Sequence, residues 1–357
     1  MLVEDIRWER YPRTAAHEAA RRFIESLAKR GKSDKTLDAY ARSLDDLLAS
    51  RPEATPEQIA ESDDEDIEDY LAHLRTRQPA TGRSNVRHLN RSGLSDNTIQ
   101  LRIVVARLFF DFCILRHWRR NPINPVPRGR LGGDGGQRGL VPRRKRLPWL
   151  PPDPAWHAIL ADLFERETAR NRAMILLMYD GALRRQEVIG LRLDDIDWAA
   201  GLITIRAEHS KSGYERVVPI SASTERLLRH YVQTDRAALL EGFGGLVAGP
   251  VFLSESQRNP GAPLSIGTVN DVVARLRGRV GLPLLHPHTF RHLRCTVLRR
   301  AGVDLGDIAL FAGHRQVETT KLYAQLAPIE LGQRVAAATA AFDRRMAVLI
   351  AEHTDGA

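Results

Sequence analysis

Four short stretches of this 357-residue chain gather side chains that hold phosphate or move protons. GALRRQEVIGLRL (181–193) carries Arg184 with Glu187 one helical turn on, and SKSGYERVVPI (210–220) carries Lys211. HPHTFRHLRCTVL (286–298) offers His286, His288, Arg291 and His292, and LFAGHRQVETTKLYAQL (310–326) offers His314 and Tyr323. A guanidinium grips phosphate oxygens as a planar, permanently charged fork. An imidazole donates or accepts a proton near neutral pH. A lysine or tyrosine can join such chemistry once its surroundings lower its pKa. Three other enzyme plans are missing: a glycine-rich Lys-Ser/Thr phosphate loop, a zincin His-Glu pair and a Gly-x-Ser-x-Gly elbow.

The composition is compatible with a polyanionic partner. The net charge is +9, and of the 53 basic residues only six are lysine, the other 47 being arginine. Nucleic acid is a better match than a membrane surface for such a chain, although a GC-rich genome would also enrich arginine. The two cysteines, Cys113 and Cys295, are too few for a disulfide framework or a four-ligand zinc site, and their apolar flanks suggest buried small hydrophobes. No run reaches the roughly 18 apolar residues of a membrane span, and MLVEDIRWERYPRT does not resemble a signal peptide. The expected setting is the cytoplasm, with no membrane, metal or cofactor.

The elements that must position these residues are mainly helical. AHEAARRFIESLAKRG places Ala16, Ala19, Phe23 and Leu27 at helical spacing and ends on Gly31. SDKTLDAYARSLDDLLAS offers Ser33 as a cap and Leu37, Tyr40, Leu44 and Leu47 or Leu48 as a stripe. Seven acids between Glu61 and Asp69 precede Ile67, Tyr70, Leu71 and Leu74, and suit a helix N-terminus better than a metal site. A fourth helix from Ser95 is apolar on most faces, so it should be central. A polar, acid-free loop at 76–94 with Arg77, Arg83, Arg87 and Arg91 separates the third helix from the fourth. Residues 126–150 are rich in Pro and Gly and hold seven basic residues, Arg143, Arg144, Lys145 and Arg146 among them, against the single Asp134. Loop and strap are candidates for DNA contact, a solvated surface being the alternative for each. In the second half, LITIRA and RVVPI flank turn chemistry and read as a β-hairpin between helices. The expected fold is mainly α with a small antiparallel β-sheet (α+β). It divides into a helical domain (14–125), a basic linker (126–150), a mixed catalytic domain (151–330) and a helical tail (331–357).

The four stretches resemble, in order and spacing, the conserved boxes of the tyrosine recombinases, the lambda-integrase family, over roughly 150–330; residues 14–125 resemble that family's core-binding domain more weakly. The resemblance implies that Arg184 and Arg291 clamp the non-bridging oxygens of a DNA phosphodiester. It implies that His288 assists the tyrosine's proton loss, that His314 holds the phosphate, and that Lys211 protonates the leaving 5′ oxygen. Tyr323 would be the nucleophile, forming a 3′-phosphotyrosyl bond that needs neither ATP nor metal to reseal. Glu187 would buttress the arginines and do no chemistry. Here Ser-Lys-Ser stands where many relatives have Gly-Lys-Gly, which leaves the path of the lysine turn less defined.

The implied activity is site-specific strand exchange between double-stranded DNAs, as integrase or transposase of a mobile element. A type IB topoisomerase, or a DNA-binding regulator that has lost catalysis, is the alternative. The tail stripe of Val335, Ala338, Phe342, Met346 and Leu349 reads as an amphipathic helix. It would dock in cis on its own domain, or in trans on a neighbour to close a homo-tetramer on DNA.

Overall fold

The computed structural model describes residues 5–76, 94–127, 141, 147–210, 213–241 and 249–314. They fall into two compact units, one within 1–145 and one within 146–357. The candidates Lys211, Tyr323, Arg77, Arg83, Arg87, Arg91, Arg143, Arg144, Lys145 and Arg146 lie outside the described residues, as does the tail.

The first unit is helical: α1 (Pro12–Ala16), α2 (Glu18–Lys29), α3 (Asp34–Ser50), α4 (Pro56–Ala60), α5 (Asp64–Thr76) and α6 (Asp96–Leu115). Ser33 and Ser95 cap α3 and α6 as expected, each hydroxyl accepting from the backbone N–H three residues on. The acids open α5, with Asp63 and Asp66 exchanging reciprocal side-chain to backbone hydrogen bonds, and Ile67, Tyr70, Leu71 and Leu74 are buried behind them. The first helix differs from expectation. His17 takes an extended backbone and its Nδ1 accepts from Ala20 N–H, so a new helix starts at Glu18 and Ala16 ends the preceding one, exposed. Helix α6 carries the centre of the core, with Phe109 and Phe110 fully buried and Phe23 edge-on to Phe109. The start of the expected linker is held on this helix, because Arg107 donates to the carbonyls of Val126 and Pro127.

The second unit runs α7 (Asp153–Arg166), α8 (Ala169–Asp180), α9 (Arg185–Gly190), β1 (Ile196–Asp197), β2 (Leu202–Ile205), β3 (Arg216–Pro219), α10 (Ala222–Gln233), α11 (Asp235–Glu241), α12 (Ile266–Arg279), α13 (Pro287–Arg300) and α14 (Leu305–Ala312). The hairpin pairs Leu202 with Pro219 and Ile205 with Arg216, and a two-residue strand, β1, extends it to three antiparallel strands. Helix α8 is the axis of this unit, with Met174, Ile175 and Leu177 fully buried and α10 and α13 packed on it. Asp180, at its end, accepts from Ser221 N–H (2.6 Å) and pairs with Arg294 (3.0 Å), which fixes the starts of α10 and the middle of α13 around one carboxylate. Both cysteines are buried, and burial pushes the Cys113 thiol up to about 12. Among the described residues no helix is long and apolar enough to cross a membrane.

Candidate active site

The turn between α8 and α9 delivers the first arginine. Gly181 ends α8 where a Cβ would sit 2.4 Å from Leu183 Cδ1. Ala182 then adopts φ +49°, a left-handed conformation uncommon for a residue with a side chain. This reversal lets the Ala182 carbonyl accept from Arg291 Nη1 while Arg184 leads into α9.

Arg184 is folded back on its own helix. Its backbone N–H and Nη1 donate to the two oxygens of Glu187 (2.8 and 2.7 Å), and Nη2 donates to the Gly313 carbonyl (3.0 Å). An exposed pair of this spacing would be worth little, but the Glu187 side chain is 0% exposed and that of Arg184 17%. A second guanidinium, from Arg216 on β3, meets the same carboxylate in a fork, Nη1 to Oε1 at 3.0 Å and Nη2 to Oε2 at 2.8 Å. Burial alone would raise the Glu187 pKa. The hydrogen bonds and charge of Arg216, joined by the backbone and charge of Arg184, outweigh it and hold the carboxyl at about 2.

Arg291, on α13, is buried, and its Nη2 donates to the Ala312 carbonyl. Arg216 Nε reaches the Phe311 carbonyl at 3.0 Å. Three successive carbonyls at the end of α14 therefore each accept from a different arginine: Phe311 from Arg216, Ala312 from Arg291, Gly313 from Arg184. The last carbonyls of a helix lack intrahelical donors and carry the negative end of its dipole, so cations belong there. Gly313 closes the helix in the left-handed conformation (φ +63°), and His314 follows directly.

The histidines surround this cluster. His288 and His292 lie on α13 with ring centroids 6.2 Å apart, and His286 precedes the helix. Burial first, then the charges of Arg291, Arg185 and Arg184 and the neighbouring His286, together lower the His288 pKa to about 4. Burial together with Arg291, Arg184, His292 and Arg216 takes His314 to about 3, and burial together with His288, His286 and Arg291 takes His292 to about 4. In all three rings the surroundings favour the neutral imidazole over the charged one. The structure thus brings Arg184, Glu187, Arg291 and His314 to the end of α14, with His288 under the same arginine charges. Arg216 is the member that reading the sequence passed over. Strand alternation carried its signal, since residues 216 and 218 share a face and Val218 is core.

Residues 157–329 match the phage integrase family, and residues 20–117 match the SAM-like N-terminal domain of phage integrases. The tyrosine recombinase XerC of Chromobacterium violaceum is 30% identical over 319 residues, covering 87% of this chain and 90% of that protein. The chain belongs to the tyrosine recombinases of the phage integrase family, and its activity is site-specific DNA recombination by strand cleavage and religation. Two solved structures share the fold. The XerH site-specific recombinase bound to palindromic difH substrate has a TM-score of 0.65 at 19% identity, covering 89% of this chain and 84% of that one. The Tn1549 transposon integrase in complex with a circular intermediate DNA has a TM-score of 0.62 at 16% identity, covering 84% and 93%.

Proposed function

We propose that Tyr323 attacks a DNA phosphodiester held by Arg184, Arg291 and His314, and that the enzyme serves a mobile element as its integrase or transposase. The observation that carries the reading is the convergence of both arginines on the end of α14, with His314 following directly. Attack adds negative charge to the non-bridging oxygens, so catalysis rests on positioned, permanently charged donors. The Tyr323 phenol oxygen forms a bond to phosphorus, and the bond to the 5′ oxygen breaks. The phenolic proton passes to His288, and Lys211 returns a proton to the departing 5′ oxygen. Attack of another 5′ hydroxyl on the phosphotyrosine reverses each transfer and joins strands. Glu187 holds the arginines in place.

The helical domain (14–125), the linker (126–150) and the catalytic domain (151–330) each contact the duplex. Arg77, Arg83, Arg87, Arg91, Arg143, Arg144, Lys145 and Arg146 supply phosphate contacts, and four subunits assemble on two DNAs. The likeness to a transposon integrase supports the mobile-element assignment. The test is covalent selection. The protein is incubated with nicked duplexes of randomised sequence, denatured, and the DNA that remains attached is sequenced. Wild type should retain a defined sequence, and Tyr323→Phe should bind DNA but retain nothing after denaturation. Adducts formed by the Phe variant would move the nucleophile elsewhere, with Tyr214 the first place to look.

A further inference from the structure

Arg216 has no part in the chemistry above, yet its side chain is 9% exposed and spends three donors on the site. Two go to Glu187, the carboxylate that also receives the backbone and side chain of Arg184. The third goes to Phe311, beside the carbonyls that receive Arg291 and Arg184. The guanidinium also lies across the helix end: a Cβ on Gly313 would stand 2.9 Å from Arg216 Nη1 and 3.0 Å from its Cδ. One side chain from the sheet thus touches the support of Arg184 on one side and the residue before His314 on the other.

We infer that Arg216 is a positioning residue for strand cleavage, tying Glu187 to the end of α14 so that Arg184 and His314 address the same phosphate. The inference rests on the roles proposed for those two residues. A lysine at 216 keeps the charge but supplies no fork, so it cannot grip both carboxylate oxygens in one plane and reach Phe311 as well. Glutamate 187 is faced by Arg184 and Arg216, and without Arg216 its buried carboxyl has one guanidinium left to oppose desolvation, so its pKa rises.

The experiment uses the full chain and a nicked duplex recovered by the covalent selection. It measures DNA affinity, the single-turnover rate of adduct formation and the pH profile of that rate. Misplacing a catalytic group by about 1 Å can cost about 10²-fold in rate, so Arg216→Ala should cleave about 100-fold slower with affinity within about twofold. Arg216→Lys should recover about tenfold of that loss, because charge is restored without the fork. The cleavage rate of Arg216→Ala should also fall off at a higher pH than that of wild type, as Glu187 protonates. The double variant Arg216→Ala/Glu187→Gln should be no slower than the more damaging single change, since both act through one contact. Should the Ala variant fail to fold, Arg216→Lys alone decides, because its charge keeps Glu187 paired. Wild-type cleavage rates in Arg216→Lys, or losses in affinity that match the losses in rate, would overturn the inference. Absence of an adduct with wild type would instead overturn the proposed mechanism.

Discussion

Replacing Glu187 by Gln removes one charge and keeps the shape, and its effect on stability can be worked out from the site. The carboxylate is fully buried between Arg184 and Arg216 and titrates at about 2 instead of the ordinary 4.5. That depression corresponds to about 3 kcal/mol favouring the charged, folded form. Breaking a buried pair from one side costs a similar 3–5 kcal/mol or so, because two guanidiniums then lack their counter-charge. The folded pKa lies below the unfolded one, so this stabilisation is complete above roughly pH 5 and is lost as the pH falls toward 2. Glu187→Gln should therefore be about 3 kcal/mol less stable than wild type at pH 7, and the two proteins should converge as the pH approaches 2. With two units in the chain, a single two-state free energy is not appropriate. Hydrogen exchange of peptides from α9 and β3 as a function of pH reports the affected unit directly. A gap that stays constant with pH, or one below about 1 kcal/mol at neutral pH, would refute the assignment of Glu187 as a charged, doubly paired carboxylate.

Gly313→Ala should cost about 1–2 kcal/mol in urea unfolding of the catalytic unit, from its left-handed backbone alone. It should also slow adduct formation, because the new Cβ meets Arg216; an Ala variant as stable as wild type would mean that the helix end relaxes freely. Neutralising Arg143, Arg144, Lys145 and Arg146 should weaken binding to all sequences alike and flatten the log–log salt dependence by about one unit per lost phosphate contact. An unchanged slope would make the strap a solvated linker. Deleting residues 334–357 should leave single-site binding intact and abolish four-subunit complexes, as followed by sedimentation with a DNA site; persistence of those complexes would assign the tail to its own domain.

The parts of this molecule governed by local rules were legible in its sequence. Ser33 and Ser95 announce α3 and α6 because a hydroxyl beside an orphan N–H is a contact of three residues' span. The stripe of α5 follows from periodicity, and the β2–β3 hairpin from two strand-like runs flanking turn residues. His17 was misread because an imidazole cap looks like any other residue within a helical pattern. The two-residue β1 is too short to show alternation. The order of the four boxes pointed to Arg184, His288, Arg291 and His314, but nothing local could have joined Arg184 to Gly313, which stands 129 residues away. The role of the α14 carbonyls as a shared acceptor set, and the burial of Arg216 beside them, exist only once the sheet and the helices have met.

An arginine on a protein surface samples many rotamers, and fixing one forfeits up to about 2 kcal/mol of side-chain entropy. Arg184 and Arg291 are each held by at least two acceptors that belong to the fold, so that loss occurs when the catalytic unit forms. Association with DNA then has fewer side chains to immobilise. If Arg184 and Arg291 clamp the phosphate as proposed, it meets donors that are already stationary.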